Sequence, residues 1–256
     1  MEDKKKYHII LILFIFFWQP QLLQGQTEEK RVLFVGNSYT YFWNLPQLVS
    51  AMAESQGENF FTQQSTAGGV NWKQHWEGDK ELKTQELIKN GDWDVVVLQN
   101  HSLSTVRNQE EFFEYGRKLI SLVKSTGAQP LLYVTWSRED NPLMQDNINE
   151  AYQKLSEETD SELVNIGSAW SRAKQLKPAL ELYHPDGSHP SPQGSYLTAT
   201  LFYKKLSGNT VLGIPERLTS FDKQNQKIYL AILMEYDAKF LLQFVEDFNL
   251  NTQYSE

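Results

Sequence analysis

Cysteine is absent from the 256-residue sequence. Its absence excludes disulfides, thiolate metal sites, a cysteine nucleophile and a lipid anchor attached through cysteine. An excess of basic charge is also missing: 24 Lys and Arg stand against 32 Asp and Glu, a net charge of −8. Nucleic acid is therefore not an expected partner, because phosphate binding needs clustered Lys and Arg. No apolar run reaches the roughly twenty residues that a membrane span requires. The longest, Ile9–Trp18, has about half that length and follows Lys4, Lys5 and Lys6, with polar residues returning at Gln19. Basic start, short apolar core and the small residue Gly25 read as a secretory signal over residues 1–25. The expectation is export to a bacterial periplasm or beyond the cell, with no stable membrane insertion after cleavage. Excluding residues 1–25 takes out those three lysines with Glu2 and Asp3, which leaves 21 basic and 30 acidic residues. Internal repeats, low-complexity tracts and Gly/Ser linkers are lacking too, so residues 26–256 are expected to form one domain.

What is present alternates between strand and helix. Val32–Val35 is a short apolar run that breaks at Gly36-Asn37-Ser38, and a helix start follows at Asn44-Leu45-Pro46. Phe60–Thr66 reads as a strand leading into Ala67-Gly68-Gly69. Asp94–Leu98 is a continuous apolar run of the kind found in central parallel strands, ending in Gln99-Asn100-His101-Ser102. Helical spacing covers 81–90, 110–124, 147–158 and 169–182, with further strands at 131–136 and 163–166. Residues 223–248 carry apolar positions at helical spacing and predict a closing helix. The pattern as a whole predicts a three-layer α/β/α sandwich with a five-stranded parallel sheet.

Three polar or glycine-rich breaks thus fall at carboxyl ends of predicted strands, where open parallel sheets bind ligands. A fourth signal lies in the stretch 182–199, LYHPDGSHPSPQGSYLTA. Pro185, Gly187, Pro190 and Pro192 make it a loop, and Ser191-Pro192 reads as the N-cap and first position of a helix. Asp186 and His189 sit three apart on that loop, a spacing that lets a carboxylate orient one ring nitrogen and leave the other as a base. Ser38 is the candidate nucleophile, and the glycines supply candidate N–H donors. His184, Asp186 and His189 could instead chelate zinc, but that would leave the serine and glycine segments without a role. No metal or cofactor is expected.

In order and spacing this set resembles the SGNH (GDSL-like) hydrolase superfamily over about residues 32–199. Gly36-Asn37-Ser38 matches its nucleophile block, Gly69 (with Gly68 adjacent) its glycine donor, and Asp186-Gly187-Ser188-His189 its last block. The third block departs from the common G-x-N-D form. Here it reads Gln99-Asn100-His101-Ser102, nearer the Q-G-E-S form of sialate- and xylan-acetylesterase-like branches. The resemblance implies a flavodoxin-like fold and a Ser38–His189–Asp186 triad. It also implies an oxyanion hole from Ser38, Gly69 and either Gln99 or Asn100, with Gln99 favoured because it directly follows the strand.

The expected activity is ester hydrolysis through an acyl-enzyme, with O-deacetylation of a carbohydrate as the substrate reading. Trp72, Trp76 and Trp136, near predicted strand ends, are candidate sugar platforms. Two other readings stand beside it: a lipid-ester hydrolase of the lysophospholipase or thioesterase kind, and a non-catalytic carbohydrate-binding protein on the same scaffold. The expected partner is a small-molecule or glycan ester.

Overall fold

The structure is a computed structural model and describes residues 28–250; the expected signal segment, 1–25, lies outside them. In chain order the elements are β1 (Lys30–Gly36), α1 (Ser38–Tyr41), α2 (Leu45–Ser55), β2 (Phe60–Thr66), α3 (Trp72–Glu77), α4 (Thr84–Asn90), β3 (Val95–Leu98), α5 (Ser104–Arg107), α6 (Gln109–Ser125), β4 (Gln129–Val134), α7 (Met144–Thr159), β5 (Glu162–Asn165), α8 (Ile166–Leu176), α9 (Pro192–Ser207), β6 (Arg217–Phe221), β7 (Lys227–Ile232) and α10 (Glu235–Asp247).

Strands β1 to β5 form the expected five-stranded sheet, in the order β2-β1-β3-β4-β5, and every pairing is parallel. Both faces are buried, which explains why the central strands read as unbroken apolar runs. Alternate residues serve opposite layers. Val32, Phe34, Val97 and Tyr133 join one apolar cluster with residues of α2, α8, α9 and α10. Leu33, Val35, Val96 and Leu132 join the other with α3, α4, α6 and α7. Because all five strands run the same way, the segments after β1, β2 and β3 emerge at one end of the sheet. The chain order reverses between β1 and β3, so the crevice opens there.

Two expectations are corrected. The helix predicted over 169–182 runs instead from Ile166 to Leu176. Pro178 cannot continue it, and the chain beyond proceeds toward the Asp186 loop. The single closing helix predicted over 223–248 divides into β7 and α10. Asp222 Oδ1 accepts from the N–H groups of Gln224 and Gln226 at 2.9 and 2.8 Å, and Asn225 turns through φ 58°. That turn folds β7 back on β6 as an antiparallel hairpin. The apolar stretch Ile228–Ile232 fits either periodicity, and here the pairing partner decides.

Helix α9 begins where the sequence places it. Ser191 Oγ accepts from the Gly194 N–H at 3.0 Å, with Pro192 at the first helical position. A Cβ on Gly194 would overlap the Leu182 carbonyl and the Trp170 ring. Close approach at this point seats the loop that precedes α9. Gly194→Ala is expected to destabilise the protein by about 1–3 kcal/mol, the usual penalty of overpacking, read as a lower urea midpoint with unchanged slope.

Candidate active site

The turn after β1 is built by close approach. A Cβ at Gly36 would overlap Thr40 Oγ1 and Gln99 Oε1, so only glycine fits. Asn37 then caps the short helix α1, its Oδ1 accepting from the Tyr39 N–H at 3.1 Å. Its Nδ2 donates to the Val70 carbonyl at 2.9 Å, which ties the turn after β1 to the glycine segment after β2. Ser38 stands at the tip.

The loop carrying Asp186 and His189 is pinned on several sides. Tyr183 and Pro190 form an antiparallel bridge, and the His184 N–H donates to the His189 carbonyl at 2.8 Å. Gly187, at φ 65°, takes the left-handed turn that glycine favours. Below the loop, Tyr39 stacks on Trp136 at 4.7 Å and Trp136 on Trp170 at 3.8 Å. Trp136 Nε1 donates to the Ser188 carbonyl at 2.9 Å, and the Tyr39 hydroxyl lies 2.7 Å from Ser188 Oγ.

This scaffold brings Ser38 to a pair, Asp186 and His189, that lies far from it in sequence. His189 Nε2 lies 2.8 Å from Ser38 Oγ, across 151 residues, and His189 Nδ1 lies 2.6 Å from Asp186 Oδ2. A carboxylate only accepts, so Nδ1 carries the ring proton and Nε2 is the acceptor facing the serine hydroxyl. Burial opposes ionisation of Asp186. The His189 ring and the N–H groups of His189 and Ser188 outweigh it together and hold the carboxyl well below its usual range.

The oxyanion candidates divide. The N–H groups of Ser38 and Gly69 donate to no other described residue. Gly69 and Asn100 border the same cleft of about 230 Å³, whereas Gly68 does not line it. Gln99, favoured on sequence, is turned inward and fully buried. Its Oε1 accepts from the Asn37 N–H at 2.7 Å and from Thr40 Oγ1 at 3.0 Å, and its Nε2 donates to the Asn100 carbonyl. Position next in line after a strand put Gln99 beneath the turn rather than in the crevice. Asn100 has the opposite arrangement. Its Oδ1 accepts from Trp72 N at 3.0 Å, His101 N at 2.8 Å and Ser104 Oγ at 3.2 Å, leaving the NH2 without a described partner.

The zinc reading of His184, Asp186 and His189 does not fit the geometry. His189 has both ring nitrogens engaged, and among the described residues no group of three or more side chains is placed to hold a metal ion. The tryptophan platforms are also corrected. Trp72 and Trp136 are 0% and 1% exposed, and Trp76 packs beside the helix cluster. The aromatic residues at the site come instead from the run Tyr39-Thr40-Tyr41-Phe42-Trp43. Phe42 stacks on the His189 ring at 4.2 Å, and Trp43, 44% exposed, donates from Nε1 to the Pro190 carbonyl at 2.9 Å. Trp43 and Asn44 both adopt positive φ, 51° and 52°. Five aromatic or hydroxyl residues directly after Gly36-Asn37-Ser38 were the available signal.

His75 has a role that sequence reading did not assign. It is buried on α3, with Nε2 donating to the Gly36 carbonyl at 3.0 Å and Nδ1 accepting from Thr84 Oγ1 at 2.7 Å. Thr84 in turn is 2.9 Å from Ser65 Oγ. Burial lowers the His75 pKa to about 4, so the imidazole is neutral at pH 7. The unfolded chain binds a proton near pH 6.5 that the native state refuses until about pH 4. Stability is therefore expected to fall as pH drops from about 6.5 to about 4 and then to level off, by on the order of 3 kcal/mol. Urea midpoints of wild type and His75→Gln across that range check this, and the variant should lose the slope.

No family model matches the chain, and no curated protein matches it either. Solved structures do. One is a Slackia heliotrinireducens protein provisionally assigned as an SGNH hydrolase: 25% identity, 70% of this chain and 99% of that one, TM-score 0.58. A DUF4886 family protein from Bacteroides uniformis matches at 14% identity over 86% of this chain and 94% of its own, TM-score 0.67. An acetyl xylan esterase matches at 16% identity over 69% and 99%, TM-score 0.54. The five-stranded parallel sheet with helices on both faces and these structural neighbours agree: the chain has an α/β fold of the SGNH-like (GDSL-like) hydrolase kind.

Proposed function

We propose that the protein is a serine esterase that removes O-acetyl groups from a carbohydrate. The observation that carries this reading is the hydrogen-bonded line from Ser38 Oγ through His189 to Asp186, at 2.8 and 2.6 Å. In the proposed reaction the Ser38 hydroxyl attacks the ester carbonyl while His189 Nε2 takes its proton. Asp186, ionised through the working pH range, holds Nδ1–H and stabilises the imidazolium. The oxyanion is met by the N–H groups of Ser38 and Gly69 and by the Asn100 NH2. His189 returns the proton to the departing sugar oxygen, leaving an acetyl-serine. Water attacks that ester with His189 again as base, which releases acetate and restores Ser38.

The carbohydrate reading is supported by exposed Trp43 beside the His189 loop, since an aromatic face suits a sugar ring. A solved neighbour with the same fold is an acetyl xylan esterase. The absence of a long run of exposed apolar residues at Phe42–Asn44, where only Trp43 is exposed and apolar, favours this over a lipid ester.

The test is hydrolysis of p-nitrophenyl esters of increasing acyl length, with Ser38→Ala as the blank. Turnover that needs Ser38 and falls steeply beyond acetate is expected. Preference for long chains would transfer the reading to lipid esters, and glycan binding without turnover would leave a binding protein. Asn100→Asp retains the three acceptor bonds but loses the NH2. It is expected to lower kcat by roughly a hundredfold or more with a small change in KM; unchanged kcat would remove Asn100 from the oxyanion hole.

A further inference from the structure

Exposed apolar side chains concentrate on the β6–β7 hairpin and the residues just after it. Eleven large apolar side chains are exposed among the described residues, and five of them fall between Phe221 and Tyr236. They are Phe221, Tyr229, Ile232, Met234 and Tyr236, each 55% to 64% exposed. Strands β6 and β7 pair only with each other. Their inner side, with Leu218, Leu230 and Ala231, joins the apolar cluster shared with α2 and α9. The pairing shifts between Leu218 and Thr219: Leu218 faces Ala231 and Thr219 faces Tyr229, which leaves Leu230 as the extra residue of a bulge. Leu230 and Ala231 therefore both turn inward, while Tyr229 and Ile232 stay outward. The outer face is three cross-strand pairs, Arg217 with Ile232, Thr219 with Tyr229 and Phe221 with Lys227. Leu233 packs inward and Met234 stands outward, which carries the bare strip to Tyr236 in the first turn of α10.

Each of the five side chains leaves on the order of 100 Å² uncovered. Together they reach roughly 500 Å², the upper range of the apolar patch that a monomer keeps in water. The charges around the patch indicate the partner. Arg217, Lys223 and Lys227 are exposed, and none forms an ion pair with a described residue. The nearby carboxylates are already engaged or turned inward. Asp222 Oδ1 holds the N–H groups of the hairpin turn, Glu235 pairs with Lys239 at 2.6 Å, and Asp237 is buried against Lys177. Glu216 is half-buried, two residues from Leu218 and on the same inner side. The hairpin is thus an apolar and cationic projection on a chain of net charge −8. A second copy would set its cations against their like. A neutral sugar would make no use of them, and Ile232 and Met234 offer it no flat ring.

We propose that the outer face of the β6–β7 hairpin docks the protein on a bilayer surface that contains anionic phospholipid. Phe221, Tyr229, Ile232 and Met234 enter the interfacial layer, and Arg217, Lys223 and Lys227 lie among the phosphates. No helix among the described residues is long and apolar enough to cross a membrane, so the attachment is reversible adsorption. A few apolar side chains bind such a surface weakly, and each basic residue beside them adds electrostatic attraction. Tyrosine suits the layer because its ring is apolar and its hydroxyl stays hydrated. The acidic remainder of the chain is repelled by the same surface, which orients the molecule with the hairpin toward it. Strand β7 packs beside the Phe42–Asn44 turn, whose Phe42 covers the His189 ring. A docked molecule therefore holds the Ser38 site close to the membrane. The proposal does not depend on the esterase reading.

Co-sedimentation with vesicles tests it, using residues 26–256, which hold every element of the fold and lack the apolar run Ile9–Trp18. At low salt, partition onto vesicles of phosphatidylcholine and phosphatidylglycerol in equal parts is expected to exceed partition onto phosphatidylcholine alone by roughly tenfold or more. The excess should shrink as NaCl is added. The double variant Phe221→Ser, Ile232→Ser is expected to lower partition onto the anionic vesicles by roughly tenfold or more. The double variant Arg217→Gln, Lys227→Gln should remove most of the preference for them. All four side chains face outward, so both variants should keep the wild-type urea midpoint; if one pair does not, the other decides. No partition onto the anionic vesicles, equal partition onto the two kinds, or partition indifferent to the variants overturns the proposal. Dimerisation in sedimentation velocity that Phe221→Ser, Ile232→Ser abolishes, without vesicle binding, would assign the face to a second copy and overturn lipid docking.

Discussion

The hydrogen bond from the Asn37 N–H to Gln99 Oε1, 2.7 Å long and fully buried, joins the end of β1 to the end of β3 at the reversal of chain order. It is possible only because Gly36 has no side chain to separate the two. Thr40 Oγ1 shares the same acceptor, and the His75 ring takes the Gly36 carbonyl from the other side. The corner is thus held at its N–H, its carbonyl and the first turn of the helix that follows. In a low-dielectric interior each of these groups would be costly if left unpaired, so the network has one satisfied arrangement. The orientation of Ser38 follows from it.

A second constraint comes from the far end of the chain. The loop bearing Asp186 and His189 is anchored to α9 by the Ser191 cap, to the segment after β4 by the Glu139 N–H on the Gly187 carbonyl at 2.9 Å, and to the Tyr39-Trp136-Trp170 stack beneath. Phe42 covers one face of the His189 ring, and the strained turn at Trp43 and Asn44 keeps it there, tied through Trp43 Nε1 to Pro190. Two left-handed non-glycine residues in succession are unfavourable, and such strain persists where the surroundings over-determine it. The Ser38 turn and the histidine loop are therefore fitted to each other by aromatic packing as well as by the hydrogen bond between them.

The division of labour between Gln99 and Asn100 shows how adjacent amides acquire different chemistry. Successive residues leave a strand toward opposite sides. Gln99 falls beneath the Gly36 corner and spends its oxygen on the turn, while Asn100 spends its oxygen on Trp72, His101 and Ser104 and keeps its NH2. Both carry the same functional group, and only their surroundings separate a brace from a donor.

By itself the sequence determined the layer architecture, the parallel sheet, the cap at Ser191 and the identity of Ser38, Asp186 and His189 as residues worth bringing together. Those features are local: periodicity, turn residues and short motif spacing act over a few positions. The β6–β7 hairpin was hidden because the apolar residues 228–232 suit a helix face or a strand until a partner strand is present. Tertiary structure alone decided which amide beside β3 faces the crevice, that Trp72 and Trp136 are buried while Trp43 is exposed, and that His75 braces the Gly36 corner. Each of these depends on contacts between segments tens to more than a hundred residues apart, and no local pattern encodes the direction in which a side chain meets a neighbour that the chain has yet to bring to it.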